Sequence, residues 1–255
     1  MTTDEICAAI KDVFEDTRSV LEPAGALALA GLKKYVSSNP DPNTNRELVA
    51  VTSGANMDFD RLRFVAERAA LGEKKEALLS VAIPERRGAY AALIDIVAPH
   101  AITAFSYRYS RQDEASVLMG ISLPASMRAH GLENIFSGFK QIAMTASDLS
   151  DDELAKTHIR YLVGGPSGVQ DERLFMFQFP ERPGALQKFL TLLRPSHNIT
   201  LFHYRNHGGD VGQVLAGIQC PASEDADLTG FLNDLGYPYE ECTNSPTYKM
   251  FLRQE

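Results

Sequence analysis

Apolar residues recur at helical spacing in the first quarter of the chain and mostly at strand spacing beyond it. In DEICAAIKDVFEDT, Ile6, Ile10 and Phe14 stand four apart and share a face, which predicts a helix. EPAGALALAGLKKYV predicts a second helix: Pro23 suits a first turn, and the small residues allow close packing. Together the two span residues 4–36, and SSNPDPNTN, residues 37–45, is a cluster of turn formers. ELVAVTSGANMDFDRLRFVAERA then predicts a short buried strand, a Ser-Gly turn and a helix whose inner face carries Leu62, Val65 and Ala69.

From about residue 73 the pattern changes and then repeats. VAIPERRGAYAALI, residues 81–94, returns as FQFPERPGALQKFL, residues 177–190. Pro84-Glu85-Arg86 and Gly88-Ala89 recur 96 positions on; Ile102-Thr103 through Tyr107-Arg108 recur 97 on, as do Gly120-Ile121 and Pro124. One inserted residue in or after the first helix accounts for the change of offset. Two copies are too few for a solenoid and indicate sister domains. Each predicts strand, helix, strand, strand, helix, strand, over 77–83, 88–98, 101–109, 114–123, 127–138 and 140–147, then 172–179, 184–194, 198–205, 211–219, 226–235 and 237–242. SRQDE and NHGGD join the middle strands as hairpins. The order is that of the ferredoxin-like split βαβ unit, an α+β fold with helices on one face of an antiparallel sheet. The linker, about 148–171, carries GGPSG and is expected to be exposed; within it Ser150 and Glu153 predict a capping box, with Arg160 at the helix end.

Composition narrows the function. Apolar content of 44% and charged content of 23% suit a globular protein with real cores. A net charge of −8 without basic blocks argues against nucleic acid and anionic lipid as partners. No apolar run approaches the roughly 20 residues of a membrane span, and the start lacks a secretory signal pattern. Cys7, Cys220 and Cys242 are too few and scattered for a disulfide framework or zinc site, so a reduced, cytoplasmic setting is expected. His203 and His207 are four apart on a strand and its turn, a spacing that makes a metal pair only on a helix; no metal site is expected.

Two repeated features carry candidate chemistry. Gly88 and Gly184 follow a strand-ending Pro and open a helix. They serve either as tight turns alone or as points where a ligand carboxylate meets the first N–H groups of the helix. In the next strand Phe105, Tyr107 and Tyr109 alternate, as do Phe202 and Tyr204, with Arg108 and Arg205 toward the other face or the strand end. These are either core aromatics with solvated arginines or an aromatic wall beside a hydroxyl. The second combination suits a small apolar amino acid.

EPAGALALAGLKKY, SGANMDFDRLRFVAERAALGE, IPERRGA, THIRYLVGG, FPERPGAL and NITLFHYRNHGGDVGQVLAGI together resemble biosynthetic threonine ammonia-lyase over essentially the whole chain. The resemblance implies residues 1–72 as the end of a fold-type-II catalytic domain dependent on pyridoxal phosphate, then ACT-like regulatory domains at 73–165 and 166–255. That family makes 2-oxobutanoate and ammonia from threonine, on the route to isoleucine, and senses isoleucine as inhibitor and valine as antagonist. It implies effector contacts at Gly88, Tyr107, Arg108, Arg160, Gly184, Tyr204 and Arg205, with Arg160 in coupling. Ser53 matches the partner of the cofactor's pyridine nitrogen, and Glu22 a carboxylate near cofactor and substrate; a turn or cap role for Ser53 and a first-turn acid role for Glu22 are the plainer alternatives. None of the nine lysines has the Schiff-base context and the phosphate cup is missing, so no catalytic residue and no cofactor bound by this chain alone are expected. The chain is then an isoleucine- and valine-sensing part of a homo-oligomer or of a complex with a separate catalytic subunit. Two rival readings are a shortened or split part of an active enzyme, and an assembly module.

Overall fold

The architecture comes from a computed structural model, which describes residues 1–40, 46–86, 88–109, 114–193, 197–206 and 211–253. The chain divides into two units, Met1–Glu76 with Pro124–Arg128, and Ala77–Leu123 with Ala129–Glu255. The SRQDE and NHGGD turns, His207 and the end of the first turn cluster lie largely outside the described residues.

The first unit is helical. α1 (Thr3–Thr17) starts at a capping box between Thr2 and Glu5, which satisfies two orphan donors at once. α2 (Pro23–Ser38) has Pro23 in its first turn, and α3 (Phe59–Gly72) is capped by Asp58. Cys7, Ala9, Ile10, Ala26, Ala30, Val65 and Ala69 form its core. Phe14 is 45% exposed rather than inward, and the Arg18 guanidinium lies 5.7 Å from its ring centroid. The strand expected after residue 46 is absent: residues 46–57 are irregular, with Val49 87% and Val51 77% exposed. A strand needs a neighbour for its N–H and C=O groups, and the described residues of this unit offer none.

The second unit holds the repeat. Its first copy runs β1 (Glu76–Pro84), α4 (Ala89–Val97), β2 (Ile102–Arg108), β3 (Glu114–Ser122), α5 (Arg128–Gln141) and β4 (Thr145–Asp148). After α6 (Glu153–Thr157) the second runs β5 (Glu172–Pro180), α7 (Ala185–Leu193), β6 (Asn198–Arg205), β7 (Val211–Gln219), α8 (Asp225–Leu235) and β8 (Tyr239–Glu241), followed by α9 (Pro246–Phe251). Both copies are thus βαββαβ. α5 runs three residues past expectation and β4 starts later, with Ala143 at φ 59° turning the chain between them.

The described strands make one antiparallel sheet in the order β4-β1-β3-β2-β6-β7-β5-β8. Each copy contributes four, and the copies join through the same strand of each. At the centre of the β2–β6 ladder Ser106 faces His203, its own counterpart in the repeat; Phe105 faces Tyr204 and Tyr107 faces Phe202. The register slips at the same place in both copies, between Ile102 and Ala104 and between Ile199 and Leu201. Phe105 and Phe202 meet edge to face across this seam, 5.4 Å between centroids. One apolar cluster runs through both copies under α4, α5, α7 and α8.

The other sheet face is partly covered from the linker, most of whose residues are exposed as expected, while Ser150, Ala155, Lys156, Arg160 and Ser167 are buried. Ala155 of α6 packs on Leu78 and Leu118, and Tyr248 of α9 packs on Leu174 and Leu201. α6 is capped by Asp152, which accepts from the Ala155 N–H at 2.8 Å, and not by Ser150. The Ser150 hydroxyl instead accepts from the Leu78 N–H at 3.0 Å and donates to Asp148 at 2.5 Å.

Candidate functional site

The repeated Pro-Glu-Arg segment leaves a strand and must reverse into a helix, and the glycine makes that turn. Gly88 and Gly184 have φ of 85° and 86°, left-handed values that cost any other residue about 1–2 kcal/mol. A Cβ on Gly184 would meet open space, so its backbone angle alone demands glycine.

Beside each turn a tyrosine meets a glutamate. The Tyr107 hydroxyl donates to Glu85 at 2.7 Å, and Tyr204 donates to both oxygens of Glu181 at 2.8 Å. Burial raises the Glu85 carboxyl above its ordinary value, against the hydrogen bonds from Tyr107 and Asn198. Burial, with the adjacent glutamate, also drives both tyrosine phenols far up, so they act as donors. Gly212 makes room for the second pair: a Cβ there would lie 2.3 Å from Glu181 and 2.8 Å from the Tyr204 ring. The glutamates repeat within the very motif that marks the duplication, but the strand pattern alone does not show that they face the tyrosines.

In front of Gly184 lies a cavity of about 560 Å³. Its floor includes Ile94, Ile102, Phe179, Leu186 and Val214; its polar groups include Glu181, Arg182, Tyr204, Asn206 and His100. α7 starts at this cavity; the Ala185 N–H donates to the Arg182 carbonyl at 3.3 Å, while the next first-turn N–H groups have no acceptor within the helix. A carboxylate has about four lone-pair sites, so Glu181 retains capacity beyond Tyr204 and Asn206 (3.4 Å). The arrangement can hold a zwitterion with an aliphatic side chain.

The arginines expected at the effector site, Arg108, Arg160 and Arg205, do not line that cavity. Arg108 lies on the linker side of the sheet, where it grips Glu172 with two bonds of 2.5 and 3.1 Å and donates to the carbonyls of Gly165 (3.1 Å) and Leu252. Glu172 also accepts from Tyr248 at 2.6 Å and from Thr200. Arg160 is buried in the turn Ile159–Tyr161, and the Arg205 guanidinium lies 4.2 Å from the Tyr161 ring centroid. A larger cavity of about 850 Å³ lies on this face. Its walls mix Ser80, Ser106 and Ser116 with Leu118, Leu149, Ile159 and Leu162, and Arg108 there is already committed to Glu172 rather than to a ligand carboxylate.

In the helical unit the two residues with a cofactor resemblance do come together. A Cβ on Gly25 would lie 1.5 Å from the Ser53 carbonyl oxygen, and one on Gly54, at φ 73°, would lie 2.3 Å from the Glu22 carboxyl, so both glycines let these segments touch. The Glu22 N–H donates to the Gly54 carbonyl (3.1 Å) and its carboxylate accepts from the Asn56 N–H (3.3 Å). The pair offers a hydroxyl and a carboxylate without an amine; Lys11 and Lys75 are held by Glu73, Lys33 by Asp12 and Lys34 by Glu5. These residues fit at most one wall of a pyridoxal phosphate site, and no step through that group follows from them. Among the described residues no cluster is placed to hold a metal, and no helix is long and apolar enough to cross a membrane.

The paired ferredoxin-like units define a tandem ACT-like fold. A family model described as the C-terminal regulatory domain of threonine dehydratase matches residues 67–159 and 163–252. The chain belongs to that family. It is 52% identical to the mitochondrial threonine dehydratase of Schizosaccharomyces pombe over 98% of this chain and 42% of the relative. It is 50% identical to the biosynthetic L-threonine dehydratase of Burkholderia multivorans and 44% to that of Escherichia coli K12, over 98% of this chain and 48% of each relative. The chain spans less than half the length of these relatives.

Proposed function

We propose that the chain senses branched-chain amino acids, isoleucine as inhibitor and valine as its antagonist, for a threonine ammonia-lyase that forms 2-oxobutanoate and ammonia. The observation that carries this is the Gly184 cavity, where an apolar floor, a helix start and the Glu181 carboxylate meet. The helix N–H groups and Arg182 take the ligand carboxylate, Glu181 takes its ammonium, and Leu186 and Phe179 enclose its side chain. Gly88, Glu85 and Tyr107 form the equivalent frame in the first copy. Burying a branched aliphatic side chain is worth about 1.5–3 kcal/mol, on the scale of the ~1–3 kcal/mol that effector coupling needs. Arg108 and Arg205 fasten linker and sheet, and these two, with Arg160 buried in the linker, serve coupling rather than contact.

Pyridoxal phosphate belongs, in this reading, to the full-length enzyme, where Glu22 and Ser53 contribute to its surroundings. Exposed Val49, Val51 and Phe59 on the helical unit favour a further protein surface against it, from the same enzyme or from a second copy. The test is calorimetry of the purified chain with isoleucine and valine. Binding of both, in competition, is expected; no heat and no thermal shift at millimolar ligand rejects the proposal.

A further inference from the structure

The two copies share a frame but not the side chains around it. Position 90 is Tyr in the first copy; its counterpart, 96 residues on, is Leu186. Tyr90 is only 7% exposed and packs edge-on to Tyr107, 4.8 Å between centroids, and 6.1 Å from Phe105. Leu186 instead is half-buried and lines the open cavity. A second exchange acts in the same direction. Ala101 lines the Gly184 cavity, whereas its counterpart, 97 residues on, is Asn198, whose side chain bonds Glu85. Glu85 therefore has Tyr107 and Asn198 on it; Glu181 has Tyr204 and Asn206, with Ala101 at the position where the first copy has Asn198.

We infer that the two copies are not equivalent receptors: the Gly184 cavity takes the branched-chain amino acid, and Tyr90 with Asn198 fills the matching space in the first copy. The inference rests on the sensing function proposed above and adds its location. Interiors are packed to crystal density and do not accept a second side chain where a ring already lies. In the first copy the glycine turn and the Tyr107–Glu85 bond therefore serve the fold. In the second, Leu186 sets the size of the side chain the cavity admits.

The experiment is calorimetric titration of the full chain with isoleucine, wild type against Leu186→Tyr, Leu186→Met and Tyr90→Leu. The wild type should bind one ligand per chain. Leu186→Tyr, at a half-exposed position that tolerates bulk in the fold, should lose affinity by roughly tenfold or more, as overfilling a packed pocket does. Leu186→Met, of similar volume, should retain it. Tyr90→Leu should keep the Gly184 site intact; should it fail to fold, the two Leu186 variants decide alone. Two equal sites in the wild type, or unchanged binding by Leu186→Tyr, overturns the inference while leaving a sensing function in place. A wild-type chain that takes neither isoleucine nor valine overturns that function, and the inference with it.

Discussion

Glu172→Ala is the sharpest probe of how the second unit is held together. Glu172 and Arg108 have side chains only 2% and 7% exposed, in bidentate contact, and Tyr248 adds a third bond from α9. The site thus ties the first copy, the second copy and the C-terminal helix at one carboxylate. Removing one partner of a buried pair leaves the other charge in low dielectric, a cost of about 3–5 kcal/mol. For a chain of this size that lowers the melting temperature by roughly 6–20 °C. Arg108→Met alone should cost a similar amount. Glu172→Ala combined with Arg108→Met removes both charges together and should cost much less than the sum of the singles, so a double-mutant cycle in urea should show strong coupling. Single variants that each lose less than about 1 kcal/mol, as exposed pairs do, would refute the claim that this pair is buried and structural.

Other outcomes follow from particular residues. Gly184→Ala should destabilise by about 1–2 kcal/mol from its backbone angle alone and weaken isoleucine binding, read by urea unfolding and calorimetry; a neutral variant contradicts the left-handed turn. The raised Glu85 carboxyl contributes stability that is full below its unfolded value near 4.5 and is lost as pH rises through the higher folded value. Glu85→Gln should therefore gain on the wild type between pH 4.5 and neutrality, and a gap in urea midpoint that does not change with pH speaks against it. Burial, with Asp4 nearby, pushes the Cys7 thiol up to about 11; maleimide should modify it only after denaturant is added, read by peptide mapping because Cys242 is half-exposed, and prompt labelling of Cys7 in the folded chain would contradict that burial.

Much of the fold was legible because the chain repeats itself. Two strands rich in apolar residues, a proline, a glycine and an amphipathic helix, written twice, specify a βαββαβ unit more firmly than one copy does. Periodicity also placed Tyr107 and Tyr204 with the core phenylalanines, since alternation fixes the face. It could not show which strand each would lie beside, so the β2–β6 seam and the tyrosine–glutamate pairs emerged only in three dimensions. The Val49–Val51 stretch failed for the converse reason: a β-prone run becomes a strand only when a partner stands next to it. Ser150 missed its capping role because its hydroxyl is drawn to the Leu78 N–H, leaving Asp152 to start α6. Arg108 looked free to meet a ligand until Glu172, 64 residues away, claimed it.

The meeting of Ser106 with its own twin His203 has a consequence for how such a protein can change. Strands that pair with their equivalents about a two-fold axis are the joint a dimer of single units would form. In a true dimer every mutation strikes both halves at once, so neither can specialise without dragging the other along. Placing both halves on one polypeptide makes their encounter intramolecular, at an effective concentration on the order of millimolar for a short flexible tether. It also releases them from enforced identity: one can keep the pocket while the other hardens into scaffold.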